Sequence, residues 1–284
     1  MVTGCWNVSG PPEPPLHFRG RWPPPEGPRV AIVGSRRPTP YGEAVAERLA
    51  ADLAAAGAVI VSGLARGIDA AAHRGALEAG GVTIAVLGTG VDIVYPAENA
   101  ALAARLLDAG GALVSEFADG TRPRRGHFPK RNWTMAALSD LVVVVEAAEG
   151  SGALITAEAA LALSREVMAV PGSIFSPLSV GTHQLLRDGA GLVQNARDVL
   201  AALGRGQEVL DDPLLPPARL GLSSPARRDG LLAHLSDTLP MTAADLARKL
   251  GLGFAEALSR LTSLELEGSV SRRGEGYIRR IRRE

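Results

Sequence analysis

The feature that most constrains this chain is a rhythm. Short, continuous, β-branched apolar runs recur at 30–33, 59–61, 83–87, 112–114, 141–145 and 167–170, and most lead directly into Gly, Ser or Pro. Between them lie Ala-rich amphipathic stretches at 40–56, 69–79, 98–109, 132–139 and 153–164. A strand that is apolar at every position is buried on both faces, so it needs helices above and below it. Alternation of such strands with helices predicts a doubly wound parallel sheet, an α/β domain covering residues 29–203. Ligands of such sheets bind beyond the C-terminal strand ends, where the strand order reverses.

The flanks read differently. Residues 1–28 hold eight prolines, three of them in the run Pro23-Pro24-Pro25. Proline fixes φ and removes a donor, so this segment is expected to be an extended arm, with Trp6, Phe18 and Trp22 docking on the body. Residues 204–224, with Gly204-Arg205-Gly206 and Asp211-Asp212-Pro213, have the composition of a linker. Three helical patterns follow at 226–236, 242–250 and 254–267, then two short strands around Gly274-Glu275-Gly276. Thr242 stands three residues before Asp245 as a weak capping box, and Leu246, Leu250, Leu258, Leu261 and Leu264 mark an apolar face. Three helices and a hairpin over 225–284 predict a small winged-helix domain. Its tail, 271–284, carries six arginines against two glutamates. A basic wing suits either duplex DNA or a docked protein.

The strand-end loops carry the chemistry. Gly34-Ser35-Arg36-Arg37 lacks the G-x-G-x-x-G spacing of a dinucleotide site, but it offers amides, a hydroxyl and two guanidiniums suited to phosphate. Ser62-Gly63-Leu64-Ala65-Arg66-Gly67-Ile68-Asp69 allows close backbone approach. Asp69 is expected to cap the next helix, with His73 on the same face at i+4; a catalytic dyad is the less favoured reading. Gly88-Thr89-Gly90 is a third glycine turn. Residues 121–131 contain five Lys/Arg and no acid, with His127, Phe128 and Trp133 interleaved or adjacent. Cations track a phosphate backbone and aromatic faces stack unpaired bases, though a solvated loop anchored by its aromatics fits equally well. Gly150-Ser151-Gly152 opens another helix in a manner suited to an anion.

Composition narrows the classes. Thirty Lys+Arg balance thirty Asp+Glu, so a uniformly basic coat is excluded while local patches are not. Cys5 is the only cysteine, which excludes a disulfide framework and any cysteine-cluster metal site. The five histidines lack paired metal-ligand spacing, and there is no phosphate-binding Walker loop or serine nucleophile elbow. Asp69, Glu116, Glu146 and Glu158 are scattered rather than paired as in two-metal nucleases. No catalytic residue, metal or cofactor is expected. The chain has no apolar run of about 18 residues and no secretory leader pattern, so a soluble cytoplasmic protein is expected.

Taken in order, these motifs resemble the DNA-processing protein DprA (Smf) family. The resemblance rests on Gly34-Ser35-Arg36, Ser62-Gly63-x-Ala65-x-Gly67-Ile68-Asp69 with His73, Gly88-x-Gly90 with Tyr95-Pro96, and Phe128-Pro129-x-Arg131-Asn132. It continues through Val145-Glu146-Ala147, Ser151-Gly152-x-Leu154-x-Thr156-Ala157, Val170-Pro171-Gly172 and Gly181-x-x-x-Leu185-Leu186-x-x-Gly189-Ala190. It implies an extended Rossmann-like fold and a cytoplasmic protein of natural transformation. Such a protein binds and protects incoming single-stranded DNA, dimerises, and helps load RecA recombinase, also where single-strand-binding protein coats the strand.

The DNA site so implied comprises Gly34, Ser35, Arg36, Arg37, Arg125, Phe128, Lys130, Arg131, Asn132, Ser151 and Gly152. Ser62, Gly63, Gly67, Asp69, His73, Gly88 and Gly90 support the pocket, and the dimer contacts map near Leu185 and Leu186. The chain departs from the family pattern at Trp133, where arginine is usual, and at His183, where asparagine is common. Many members carry an N-terminal helical SAM-like domain, which the 28 residues before the first apolar run are not expected to hold. Two rivals come from other classes. A phosphoribohydrolase-like nucleotide hydrolase shares the fold but would show P-G-G-x-G-T-x-x-E, which is absent. A winged-helix regulator would need sequence-specific duplex binding.

Overall fold

The computed structural model describes residues 15–204, 234–236, 240–266, 270–273 and 276–279. The chain divides into two compact units, Met1–Ala218 and Arg219–Glu284.

In the first unit, eight strands form one sheet: β1 (His17–Gly20), β2 (Arg29–Val33), β3 (Val59–Ser62), β4 (Thr83–Val86), β5 (Ala112–Ser115), β6 (Leu141–Val144), β7 (Glu166–Ala169) and β8 (Gly191–Leu192). Their order is β1-β5-β4-β3-β2-β6-β7-β8, parallel except for β1. Among the described residues, seven α-helices cover the sheet: α1 (Pro40–Ala55), α2 (Ile68–Glu78), α3 (Ala100–Asp108), α4 (His127–Ala137), α5 (Gly152–Ala162), α6 (Val180–Arg187) and α7 (Ala196–Ala202).

The six apolar runs become β2 to β7 because both pleat faces need cover. On β2, Val30 and Ile32 pack with Leu49, Leu53, Ala71 and Leu200 on one side. Ala31 and Val33 pack with Met135, Ala136, Ala157 and Ala160 on the other. All four strand residues are buried. The small alanines of these helices let the backbone layers approach closely.

Three elements depart from the sequence reading. The proline-rich arm is partly built into the sheet, since His17–Gly20 pairs antiparallel with β5 and closes that edge. Phe18 and Trp22 dock on the core as expected, while Trp6 lies outside the described residues. Helix α4 begins at His127 rather than 132, so most of the basic segment's C-terminal half is helical, not loop. The two-residue strand β8 is too short to leave an apolar run.

The second unit contains α8 (Ala243–Leu250), α9 (Phe254–Leu266) and a hairpin of β9 (Val270–Arg273) with β10 (Gly276–Arg279). The Thr242 hydroxyl caps α8 by accepting the Asp245 amide at 3.2 Å. Gly251 ends that helix with φ +66°. Leu246, Leu261, Leu264, Val270 and Tyr277 are buried together, with Leu250 packed against them, whereas Leu258 sits toward solvent. Most of the helix expected at 226–236, the linker beyond Gly204 and the last five residues lie outside the described residues.

Candidate nucleic-acid interface

The chain runs outward from β2 through β3, β4 and β5, then returns to place β6 on the other side of β2. The loops that leave β2 and β6 therefore diverge, which is the crevice a doubly wound sheet offers to ligands. Here it is a cleft of about 510 Å³ floored by Val33 and Met135.

The β2 loop forms one wall. The buried Ser35 hydroxyl accepts the Arg37 amide at 3.1 Å, which turns the exposed Arg36 and Arg37 outward. Both arginines line the cleft. Thr39 then caps α1 by accepting the Gly42 amide at 3.1 Å. The buried Glu146 carboxylate accepts the Thr39 amide at 2.9 Å and its hydroxyl at 2.5 Å. The start of α1 is thus closed by the protein's own carboxylate, so the amides expected there for a ligand are engaged.

The β3 loop braces this wall. Gly67 holds φ +72°, and a Cβ there would collide with the Ser35 carbonyl. The Ile68 amide donates to the same carbonyl at 3.1 Å. Ser62 is fully buried and donates to the Ile32 carbonyl at 2.6 Å. Asp69 does not cap α2. It reaches back to accept the Gly63 and Ala65 amides at 3.1 and 3.4 Å, which fixes the loop. Burial raises the Asp69 pKa above the usual carboxylate range, while Arg131 pulls it back.

His73 does not pair with Asp69. Thr83 donates its only hydroxyl proton to the Ile60 carbonyl at 2.8 Å. The 2.7 Å contact of His73 Nδ1 with Thr83 Oγ1 is therefore a bond donated by the ring. His73 is fully buried, and burial, reinforced by Arg131, pulls its pKa down to about 3. It is a neutral core histidine, and the Asp–His dyad is not formed.

Arg131, expected beside Arg36 as a free cation, is only 4% exposed. Its Nη1 donates to the Gly63 carbonyl and, at 2.9 Å, to that of Val86. A Cβ at Gly63 would overlap that guanidinium, which is why glycine stands there. Burial lowers the Arg131 pKa from the usual guanidinium range, with Asp69 opposing. The charge remains, fixed at the cleft's inner wall.

The aromatic residues Phe128 and Tyr95 do not line the cleft itself; they form a shelf beside it, next to Arg36. Phe128 lies against Gly88, whose missing side chain makes room for the ring. The Arg36 guanidinium sits 5.2 Å from the Phe128 centroid. Tyr95, 47% exposed, is 5.8 Å from Phe128 and tilted by 40°. His127 stacks on Phe117 at 4.1 Å. The Gly90 amide donates to the Thr121 carbonyl at 3.0 Å and anchors the basic segment.

Other residues fall elsewhere. Lys130 turns to Glu116 at 3.1 Å and to the Phe117 ring, so it does not line the cleft. Arg125 is exposed ahead of α4, also outside the cleft lining. Asn132 donates to the Gly152 carbonyl at 2.9 Å and ties α4 to α5. Ser151 caps α5 by accepting the Ala153 amide at 3.3 Å, and Gly150, Ser151 and Gly152 form the opposite wall. Leu185 and Leu186 are half-buried, and Leu185 borders a separate cavity of about 450 Å³ between α5 and α6.

Sequence reasoning gave Tyr95 and Thr156 no site role. Tyr95 stands on the same sheet edge as the other loops, a positional signal that was available. Thr156 is a fixed position of the motif Ser151-Gly152-x-Leu154-x-Thr156-Ala157, which was its signal.

Among the described residues there is no group of His, Cys, Asp or Glu arranged to hold a metal, and no helix long and apolar enough to cross a membrane. The fold and the cleft define a class: a Rossmann-like α/β protein whose switch-point cleft is lined by arginines and shelved by aromatics. Residues 6–204 match the family described as DNA recombination-mediator protein A, and residues 215–276 match the DprA winged helix domain. The chain belongs to the DNA recombination-mediator protein A family.

It is 42% identical over 258 residues to Protein Smf of Escherichia coli K12, covering 88% of this chain and 67% of that protein. It is 48% identical over 177 residues to DNA processing protein DprA of Streptococcus pneumoniae, 61% of each chain. The chain thus spans about three fifths to two thirds of the length of these curated relatives. The X-ray structure of the Streptococcus pneumoniae protein matches with TM-score 0.62 and 44% identity, covering 66% of each chain. A DNA processing protein A from Helicobacter pylori, studied for its single-stranded DNA binding mode, matches with TM-score 0.62 and 31% identity, covering 72% of this chain and 94% of that one.

Proposed function

We propose that the cleft and its aromatic shelf bind single-stranded DNA, and that the chain serves DNA processing in natural transformation. The observation that carries this reading is the exposed Arg36 guanidinium lying over the Phe128 ring beside the cleft. A cation and a stacking face at one point are what a phosphate and its unpaired base require together. Arg36 occupies the ring face a base would take. Binding exchanges that cation–π contact for base stacking and frees the guanidinium for a phosphate. Bases in a duplex cannot turn onto Phe128, so single strands are preferred. Phosphate contacts carry no base information, so sequence preference is weak. The single-stranded DNA binding of the Helicobacter pylori relative supports the same assignment.

The protein binds the strand without breaking bonds, a reading supported by Asp69 bonding its own loop and by the burial of His73. Residues 29–203 form the DNA-binding domain, joined through 204–224 to the winged helix of 225–284. A face including Leu185 and Leu186 pairs two copies, and the dimer delivers the strand to RecA in the cytoplasm, also from single-strand-binding protein.

Gel shifts of Arg36→Ala and Phe128→Ala on a poly-dT oligonucleotide test the site. Each substitution is expected to weaken binding about tenfold or more, since a stacked base contributes about 1–3 kcal/mol. Arg36→Ala should also flatten the salt dependence. Wild-type affinity in both variants refutes the assignment.

A further inference from the structure

Two side chains that line the cleft each carry a buried polar atom with no partner among the described residues. Thr156, on the second turn of α5, is 1% exposed, lines the cleft, and its Oγ1 makes no hydrogen bond. A helical threonine normally relieves this by donating back to the carbonyl four residues earlier. Here that carbonyl belongs to Gly152, and it already accepts Asn132 Nδ2 at 2.9 Å besides its helical bond. Across the same cleft, Arg131 Nε is also buried and without a partner, although Nη1 of the same guanidinium is doubly engaged. Both orphans can donate. A buried donor without an acceptor is costly, and with both side chains lining one cleft an acceptor from outside would satisfy them.

Glycine at 152 fits the same conclusion. Its φ is not in the left-handed region, and a Cβ there would meet nothing within 4 Å. Neither the backbone nor a neighbour demands glycine, and this exposed position leaves the wall of the cleft open. The space lies at the positive end of the eleven-residue helix α5. Asp69 and Glu149 also line the cleft, set against the guanidiniums of Arg36, Arg37 and Arg131.

We propose that Thr156 of α5 and Arg131 of α4 form an inner seat for one phosphate group of the bound strand, distinct from the outer contact at Arg36 and Phe128. This rests on the single-strand reading above. The seat fixes the strand's register: one phosphate is held by buried donors of fixed geometry, and its neighbours pass outward over the shelf.

The test is Thr156→Val, which keeps the shape and removes the donor, beside Thr156→Ser, which restores it. Binding of a fluorescent poly-dT oligonucleotide to the full chain is measured against salt. Thr156→Val should lose about tenfold in affinity with the salt slope unchanged, because a neutral hydroxyl displaces no counterion. Thr156→Ser should recover most of the loss, and inorganic phosphate should compete for the wild type more strongly than for Thr156→Val. Wild-type affinity in Thr156→Val, while Arg36→Ala is weakened, overturns the seat and leaves the outer site standing. Loss in neither variant removes the single-strand reading itself. Equal loss in the Val and Ser variants means a packing defect and also overturns the seat.

Discussion

Two helix starts face each other across the switch point, and they are finished in opposite ways. Each follows a glycine- and serine-containing loop at the end of a central strand, β2 before α1 and β6 before α5. At α1 the protein supplies both the cap, Thr39, and an anion, Glu146. At α5 it supplies a cap, Ser151, but among the described residues no carboxylate hydrogen-bonded to the first turn, and it leaves the Thr156 hydroxyl and open room beside Gly152. A helix start alone therefore does not mark a ligand site. What marks one is a start the fold has not already satisfied.

The largest expected effect tests the sealed side. Glu146→Ala strips the Thr39 amide and hydroxyl of a charged acceptor and should lower the unfolding free energy by about 3 kcal/mol in urea titrations. Near wild-type stability would mean that α1 is not sealed by that carboxylate. Next, Gly42→Ala drives a methyl into the same carboxyl group. It should cost about 2 kcal/mol by overpacking, read from the same titrations. The smallest stability effect belongs to the open side, where Gly152→Ala meets no protein atom within 4 Å. Stability should hold or rise by about 0.5 kcal/mol, while oligonucleotide affinity measured by anisotropy falls, because the methyl occupies the ligand's room. If Gly152→Ala destabilises as much as Gly42→Ala, the two starts are alike and the contrast fails.

The same contrast explains how far the sequence could be read. The six apolar runs gave the central strands because burial on both faces leaves no polar position to confuse the period. Strand β1 was hidden in a proline-rich segment whose pairing depends on the free edge of β5, where His17 meets Ser115 and Gly20 meets Ala112, far beyond any local signal. The start of α4 was placed five residues late because His127, Phe128 and Pro129 favour a helix only once Gly88 and Phe117 receive them. The site was legible as residue types: Gly34, Ser35, Arg36, Asn132, Ser151 and Gly152 do converge on one cleft. The roles of Asp69, His73, Lys130 and Arg131 were not, since each depends on a partner far along the chain.

By itself, then, the chain's hydrophobic rhythm determined a sheet with helices on both faces, and its loop composition determined which strand ends carry cations, hydroxyls and aromatics. Only the tertiary structure decided which of those groups are free. Two arginines, one four residues before a helix start and one four residues after another, look equivalent as letters, yet Arg36 meets solvent and the Phe128 face while Arg131 meets the carbonyls of Gly63 and Val86. The physical reason is that a polar group's availability depends on whether another part of the chain has already satisfied it, and that is settled by three-dimensional neighbours rather than by sequence distance.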